Sequence, residues 1–319
     1  MAYQAGDTIE ASTYNTFVNS SSSPYGYNHF AGTGSGVYGL GQTTIPTVSA
    51  NAGNITASQW NTLFTAMDNI ANHTNDTLTT RSQVSAGDTI AIKAAVEADL
   101  ATLAASVAAG SPNATALATN AVGSSTNAAT WNTSSTIERS VTFASADKMR
   151  HFFNAGGKIR IDPSCVTGID GSKDDVFNDL TTVAIGNLDL GAQSTTRSGS
   201  GETLTTDGLA NGFHDLTTSY TTLILLTSDN TNYTSNTLEI QAKLDAAVGT
   251  AVTVTIKMIA TDPADDATYT SGNTSGVPAN PNEAPRMTLA LIEVYPTDGE
   301  GLSANIQSLS NAEVSNSAS

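Results

Sequence analysis

Four histidines and one cysteine are the side chains of this sequence that could bind zinc or act as activated nucleophiles. The histidines are His29, His73, His151 and His214; no two lie four residues apart, and none lies beside a thiolate. Cys165 is the only cysteine, which excludes an internal disulfide and a site with several thiolates. We therefore expect no metal centre, interpret the histidines as structural or surface residues, and interpret Cys165 as a small buried apolar residue.

Two aspartate-rich segments could supply oxygen ligands for calcium or carboxylates for glycoside hydrolysis. They span residues 170–175 and 262–266. Neither has the ligand spacing of an EF-hand loop, and Lys173 lies inside the first. The neighbouring residues Asp174–Asp175 and Asp265–Asp266 diverge in direction, whereas a catalytic pair needs two carboxyl groups about 5 to 9.5 Å apart. We expect solvated loop acids, with a calcium site as the alternative.

Motifs for nucleophilic catalysis or phosphate binding are weak. His214 and Asp215 are adjacent and could orient an imidazole as a base, but the sequence has no Gly-x-Ser-x-Gly nucleophile motif. The glycine-rich residues 32–36 follow no predicted strand and lack the Lys-Ser/Thr of a phosphate-binding loop. We expect no enzymatic activity and no cofactor.

The acidic balance of the chain argues against two classes of partner. With 29 acidic and 12 basic residues among 319, the net charge is −17, which opposes binding to DNA and to anionic membranes. Only 13% of the residues are charged, so Thr, Ser and Asn supply most of the polar surface, as in particle-exposed, halophile or surface-layer proteins. Residues 1–7 show no secretion signal, and no run of about 20 apolar residues occurs. We expect synthesis in a cytoplasm, with no nucleic acid bound and no membrane insertion.

A degenerate repeat organises the first hundred residues. Its copies begin at Gly6 (Gly-Asp-Thr-Ile-Glu-Ala-Ser-Thr-Tyr-Asn), at Gly53 (Gly-Asn-Ile-Thr-Ala-Ser-Gln-Trp-Asn) and, in shorter form, at Gly87 (Gly-Asp-Thr-Ile). In each copy Gly with Asp or Asn predicts a turn, and a following Thr or Ser predicts a helix N-cap. The second helix should run from about Ser58 to Asn72. The predicted apolar faces comprise Tyr14, Phe17 and Val18 in the first copy, Trp60, Leu63, Phe64, Met67 and Ile70 in the second, and Ile92, Val96, Leu100, Leu103 and Val107 in the third.

A glycine-rich arm separates the first two copies. Residues 25–42 carry Tyr25, Tyr27 and Tyr38 among many glycines, with too few large apolar side chains to fold alone. We therefore expect the segment 20–46 to become ordered against another subunit.

The apolar pattern changes to period two from Ile137 onward, which predicts short strands separated by Gly, Asn, Asp and Pro. The predicted class is α+β: turn-helix repeats with a glycine-rich arm at 1–109, a polar linker or hairpin at 110–136, a mainly antiparallel, jelly-roll-like β-sandwich at 137–298, and a polar C-terminal tail at 299–319, mobile or docked on a neighbour. The strand predictions rest on Val141 and Phe143, Ile159 and Ile161, Val183 and Ile185, Leu223 and Leu225, Leu238 and Ile240, Val252 to Ile256, and Leu289 to Val294.

The residues 149–161, Met-Arg-His-Phe-Phe-Asn-Ala-Gly-Gly-Lys-Ile-Arg-Ile, predict a turn that enters a strand. Phe152 and Phe153 would fill a core edge, and Gly156 and Gly157 would supply backbone freedom, including a positive φ, before the alternating strand residues.

This stretch resembles the Phe-Phe-Asn-Ala-Gly-Gly-x-Ile/Leu-Arg signature of virion structural proteins in large tailed bacteriophages, especially marine and cyanobacterial myoviruses. The N-terminal repeats, with Tyr-Gly-x-Gly-Gln at 38–42 between them, resemble the N-terminal part of the same families. Together these resemblances cover roughly the first half of the chain.

The resemblance implies a structural subunit of a phage particle, made in the host cytoplasm and located in the virion, most simply in the tail, neck or baseplate. Its partners would be further copies of itself and other virion proteins. The alternatives are a receptor-binding tail fibre or adhesin that recognises host surface glycans, and a capsid decoration protein; a tail-associated depolymerase is a more distant one. The residues that we expect to serve assembly or packing are Tyr14, Phe17, Tyr25, Tyr27, Tyr38, Trp60, Phe64, Phe152, Phe153, Gly156 and Gly157.

Overall fold

The computed structural model describes residues 11–31, 43–49, 55–74, 76–85, 93–109, 117–166, 172–231, 233–263, 284–296 and 309–319. Tyr38, Ile92, the turns that open the three repeats, the Asp265–Asp266 pair and the side chain of His73 lie outside the described part. The chain divides into two units. The first comprises Met1–Ala118, Asp147–Gly157 and Tyr295–Gln307; the second comprises Thr119–Ala146, Lys158–Val294 and Ser308–Ser319.

The first unit is helical in its described residues. Its helices are α1 (Ala11–Asn19), α2 (Tyr27–Ala31), α3 (Ala57–Thr74), α4 (Lys93–Ala109) and most of α5 (Ala146–Asn154). Extended segments at 43–49 and 76–85 run beside these helices without forming strands.

Helix α3 begins at a capping box formed by Thr56 and Gln59. The Thr56 hydroxyl accepts a hydrogen bond from the Gln59 amide (3.3 Å), and the Gln59 side-chain oxygen accepts one from the Thr56 amide (2.7 Å). The N-cap predicted for this repeat is thereby confirmed, and the helix runs two residues beyond the predicted Asn72. The apolar faces predicted for α1, α3 and the described part of α4 are also confirmed, because all of their members are buried: Tyr14, Phe17, Val18, Trp60, Leu63, Phe64, Met67, Ile70, Val96, Leu100, Leu103 and Val107.

The second unit is a two-sheet β-sandwich. Its strands are β1 (Leu117–Thr126), β2 (Ser134–Thr142), β3 (Lys158–Cys165), β4 (Leu188–Leu190), β5 (Thr195–Arg197), β6 (Thr203–Asp207), β7 (Thr221–Thr227), β8 (Thr237–Leu244), β9 (Thr253–Thr261), β10 (Met287–Pro296) and β11 (Ser310–Ala318). One sheet has the order β1-β10-β3-β4-β5 and the other β11-β2-β9-β8-β7-β6. The pairings with a defined register are antiparallel. The α+β class with a β-sandwich is confirmed.

Alternation along the strands builds the sandwich core. In β2, β3 and β8 every second residue is buried, including Ile137 and Val141, Ile159 and Ile161. Each strand therefore turns one buried face to the opposite sheet and one polar face outward, and the buried faces are apolar apart from Ser135 and Arg139 of β2.

Val183 and Ile185, predicted to lie in a strand, lie in a π-helical segment, Asp179–Ile185, which follows helix α6 (Ser172–Asn178). Val183 is 52% exposed, whereas Ile185 is buried. The buried residues of the segment are Leu180, Thr181, Ala184 and Ile185, which repeat with a helical spacing. The period-two interpretation used two positions and missed this pattern.

The sandwich extends beyond the predicted range 137–298 at both ends. Strand β1 lies within the segment 110–136 predicted as a linker or hairpin, and β11 lies within the tail predicted at 299–319. Both are sheet-edge strands with mostly exposed side chains. They lack a buried apolar alternation, and for that reason their sequences resemble loops.

Candidate functional site

Asparagine side chains hold extended main chain against the helices of the first unit. The carboxamide of Asn15 in α1 donates to the carbonyl of Val48 and accepts from its amide, each at 2.8 Å. Asn61 in α3 makes the same pair of bonds with Val84, at 3.0 and 2.8 Å. A carboxamide that pairs with a peptide group in this way acts as a one-residue substitute for a neighbouring β-strand. We call this arrangement an asparagine clamp.

A third asparagine clamp lies in the segment predicted as an assembly arm. Asn28 in α2 donates to the carbonyl of Ile45 and accepts from its amide, both at 2.8 Å. Tyr27, Phe30 and Ile45 are buried within the unit. The expectation that the whole segment 20–46 needs another subunit to become ordered is therefore corrected for its described residues, 20–31 and 43–46, because their large apolar side chains Tyr27, Phe30 and Ile45 are buried within their own chain.

The extended segment 76–85 is held at two further points by helix α4. The carboxylate of Asp99, which is 6% exposed, accepts bonds from the Thr79 amide (3.2 Å) and hydroxyl (3.1 Å) and from the guanidinium of Arg81. Closer to the start of the segment, Ser106 donates to Asp76 at 2.9 Å. Sequence reasoning missed Asp99; its one available signal was a carboxylate beside the apolar face of an alanine-rich helix.

Aromatic side chains form the core between α1 and α3. Trp60 lies 5.4 Å from the Tyr14 ring, 5.9 Å from the Phe17 ring and 5.6 Å from the Phe64 ring, measured between centroids. Burial raises the pKa of Tyr14, whose hydroxyl donates to the Gln59 carbonyl at 3.2 Å. These assembly or packing candidates therefore pack within one chain.

The Phe-Phe-Asn-Ala-Gly-Gly stretch is a helix end. Phe152 and Phe153 are fully buried in the last turn of α5, with their rings 5.1 Å apart and edge to face. Gly156 has φ +89°, as expected, and its amide donates to Phe153, while the Gly157 amide donates to Phe152. These two bonds and the positive φ define a Schellman motif.

Gly157 is required for a different reason from Gly156. It has no positive φ, but a Cβ at this position would lie 2.6 Å from both the ring and the carbonyl oxygen of Phe152. The predicted turn that enters a strand is therefore present, and a helix precedes it.

The two aspartate-rich segments meet at a buried ion pair in the second unit. Lys173 Nζ lies 2.6 Å from Asp262 Oδ2, with both side chains at most 5% exposed. The lysine places an ammonium group between the segments that we considered for calcium. In the described part of the chain, no group of three or more His, Cys, Asp or Glu side chains is arranged to hold a metal ion.

The described histidine and cysteine side chains with ring contacts or shifted pKa values have the following surroundings. His29 stacks on Tyr25 with the rings 4.1 Å apart, and burial lowers its pKa. His214 packs against the Phe213 ring at 4.9 Å. Burial first, and then Asp174, raise the pKa of Cys165 to about 11, so its thiol is protonated at neutral pH.

Side chains from the six-stranded sheet close one edge of the five-stranded sheet. Strand β1 is the edge strand, and three alternate carbonyls along it, at Val122, Ser124 and Thr126, accept side-chain hydrogen bonds. The donors are Asn311, Arg139 (2.8 Å to Ser124) and Asn316 (3.0 Å to Thr126). These bonds satisfy main-chain groups that an edge strand otherwise exposes to another strand.

Three charged side chains of the second unit lie on its five-stranded sheet, Arg160, Asp189 and Glu293. Arg160 and Asp189 face each other across β3 and β4 in a bidentate pair, with bonds of 2.7 and 2.9 Å. Glu293 of β10 is 1% exposed, and Oε1 of its carboxyl has no hydrogen-bond partner among the described residues. Burial raises the pKa of Glu293, and a hydrogen bond with Asn120 partly opposes that rise.

Two tyrosines of the second unit, Tyr220 and Tyr233, bear on whether a glycan ring could stack on the sandwich. The ammonium groups of Lys243 and Lys257 lie 4.3 and 3.9 Å from the centre of the Tyr220 ring. Tyr233 is 8% exposed. Neither ring is a bare stacking surface.

A cavity of about 810 Å³ lies in the first unit, between residues 43–46 and one side of α3. Among its described lining residues, hydroxyl and amide side chains such as Ser58, Thr62 and Asn69 supply most of the polar groups, and Tyr27 is the single titratable residue. The described part of the lining therefore contains no acid–base pair.

Comparisons of this chain with protein-family models, with curated proteins and with solved structures find no match. No helix in the described ranges is both long and apolar enough to cross a membrane.

Proposed function

We propose that the chain is a structural subunit of a bacteriophage particle, located in the tail, neck or baseplate, whose role is mechanical rather than catalytic. It assembles with copies of itself and with other virion proteins, and it acts through buried contacts without a cofactor.

One structural observation carries the proposal: polar side chains in both units fix extended main chain in place. Asn15, Asn28 and Asn61 each bind both main-chain groups of one residue, and Asn311 and Asn316 bind the edge of β1. Each such hydrogen bond contributes about 1 kcal/mol to the stability of the fold, and removing one partner costs more where the other group is left without a hydrogen bond. A protein in which side-chain amides fix long extended segments is suited to bearing load.

The proposal names a bacteriophage particle because of the sequence resemblance to phage virion proteins. The residues that carry it lie at Schellman-motif and clamp positions: Gly156 and Gly157 end α5, and the Trp-Asn and Tyr-Asn pairs of the repeats place a ring in the core and a carboxamide on main chain. The resemblance therefore rests on residues with defined packing roles.

The test is to locate the protein in purified particles. Antibodies raised against the recombinant chain should label intact virions by immunogold electron microscopy, at the tail, neck or baseplate, and mass spectrometry should find the chain in gradient-purified particles. Label on the capsid shell would favour the decoration protein. Absence from purified particles, while the chain is abundant in infected cells, would contradict the proposal.

The receptor-binding alternative is tested separately with the full chain on a glycan array. The fragment 137–298 is unsuitable, because it lacks β1, β11 and the start of β2. Specific glycan binding that competes with phage adsorption would favour the adhesin. Release of sugar from host envelopes would favour a depolymerase.

A further inference from the structure

The four edges of the sandwich differ in how they are protected from another strand. Strands β5 and β6 are short, with 3 and 5 residues, and β6 is irregular between Leu204 and Thr206. The edge of β1 is capped by the three side chains described above. Strand β11 has 9 residues and, among the described strands, a single neighbour, β2. Among the described residues, no side chain caps this long edge.

The register of β11 shows which main-chain groups point away from β2. Ser319 and Ser134 exchange both main-chain bonds, at 2.9 and 3.3 Å. In an antiparallel pair, hydrogen-bonded and non-hydrogen-bonded positions alternate. Because Ala318 pairs with Ser135 and Asn316 pairs with Ile137, the amides and carbonyls of Ala318 and Asn316 point outward from the sheet.

The composition of β11 favours strand addition. Natural edge strands are often protected by lysine, proline or inward-pointing charges. Strand β11 reads Ser-Asn-Ala-Glu-Val-Ser-Asn-Ser-Ala, with no lysine, no proline and one charge, Glu313. In a chain with a net charge of −17, this nearly neutral segment is where two acidic copies can approach with little repulsion.

We propose that the outer edge of β11 pairs with β11 of a second copy of this chain, in antiparallel orientation about a two-fold axis, to give a continuous sheet with six strands from each copy. The occupant is a second copy because an antiparallel pair of identical strands is self-complementary and closes as a dimer. An offset between the strands keeps the two Glu313 carboxylates apart. This surface is one contact of the self-assembly proposed above and rests on that proposal.

A matched pair of variants tests the contact. Ala318→Pro removes an amide that points away from β2 and leaves the β2–β11 bonds in place, whereas Ala318→Ser keeps the amide. Light scattering coupled to gel filtration should show a dimer for the native chain and for Ala318→Ser, and a monomer for Ala318→Pro. At a dilution at which all three chains are monomeric, the melting temperatures of the two variants should be equal. A native chain that is monomeric at all concentrations, or a dimer that survives in Ala318→Pro, would overturn the inference.

Amide hydrogen exchange gives a second measurement that needs no variant. At high protein concentration the amides of Asn316 and Ala318 should exchange more slowly than at low concentration, while that of Ser317, bonded to β2, should exchange at the same rate in both. Exchange that is independent of concentration at all three amides would also overturn the proposed contact. Neither result bears on whether antibodies find the chain in particles, so the two proposals fail separately.

Discussion

Asn15 and Asn61 lie at the same position of two sequence repeats and make the same two hydrogen bonds, to Val48 and to Val84. Each follows a buried aromatic residue, Tyr14 or Trp60. Both clamped valines begin a Val-Ser-Ala sequence that leads into the next repeat. The clamp therefore holds the helix of one repeat against the extended segment that leads into the next repeat.

Replacing Asn61 tests the clamp. Asn61→Asp removes the donor to the Val84 carbonyl and turns a carboxylate oxygen toward it, so the free energy of unfolding should fall by about 1–3 kcal/mol. Asn72→Ala, at an exposed position of the same helix, should be nearly neutral. Chemical denaturation followed by circular dichroism measures both. Equal stability of the two variants would show that the clamp contributes nothing.

The two glycines after α5 should both resist substitution. Gly156→Val forces a β-branched residue to φ +89°, and Gly157→Val places a side chain against Phe152. Each should cost about 1–3 kcal/mol or reduce the folded yield, whereas Lys158→Ala should have little effect. Thermal melts and soluble yield report the difference. If the valine variants were as stable as the native chain and Lys158→Ala lost assembly, the stretch would be a binding loop.

The buried Lys173–Asp262 pair should be intolerant of losing one partner. Lys173→Met removes the ammonium group 2.6 Å from the buried Asp262 carboxylate and should lower the unfolding free energy by about 3–5 kcal/mol. The double variant Lys173→Met with Asp262→Leu should recover most of that loss, because both charges of the pair are then removed. Urea denaturation of the two variants checks this; a double variant as unstable as the single one would contradict it.

Chelation should leave the stability unchanged. The ammonium group of Lys173 lies between the two aspartate-rich segments, and two positive charges in one such site repel each other. The melting temperature in excess chelator should equal that in millimolar calcium. A rise of several degrees with calcium would reveal a bound ion.

Glu293 should make the sandwich more stable in acid than at neutral pH. Because burial raises its pKa above the unfolded value near 4.5, the folded state holds its proton more tightly than the unfolded state. The stability that protonated Glu293 contributes is complete below the unfolded pKa and is lost as the pH rises through the folded pKa. Glu293→Gln should remove this loss and raise the stability at pH 7, while Glu239→Gln on the outer side of β8 should not. Melting temperatures measured across pH 4 to 8 distinguish the two.

The parts of the fold that the sequence predicts are those with a buried periodic face. The predicted boundaries of α3 were within two residues, because Trp60, Leu63 and Phe64 repeat with a helical spacing and Thr56 and Gln59 supply a capping box. Strands β1 and β11 were not predicted, since their stability comes from main-chain pairing and from Asn311 and Asn316 rather than from apolar alternation.

The candidate site was less predictable for a related reason. The repeat places Asn61 after Trp60 as it places Asn15 after Tyr14, but nothing in the sequence shows that Asn61 binds main chain 23 residues away whereas Asn72 is exposed. The Lys173–Asp262 contact joins segments that are distant along the chain. The positive φ of Gly156 was predictable, because a Gly-Gly pair after an apolar stretch is a local signal.

The clamp also defines how such a unit can change in length during evolution. Each clamp joins only neighbours in the series, so a whole repeat can be inserted or deleted while the remaining clamps are preserved. In α4 the equivalent position, six residues after the repeat isoleucine, is Val96, which is buried and has no carboxamide to offer. With valine in place of asparagine, the third copy lacks the side chain that forms this clamp in the first two.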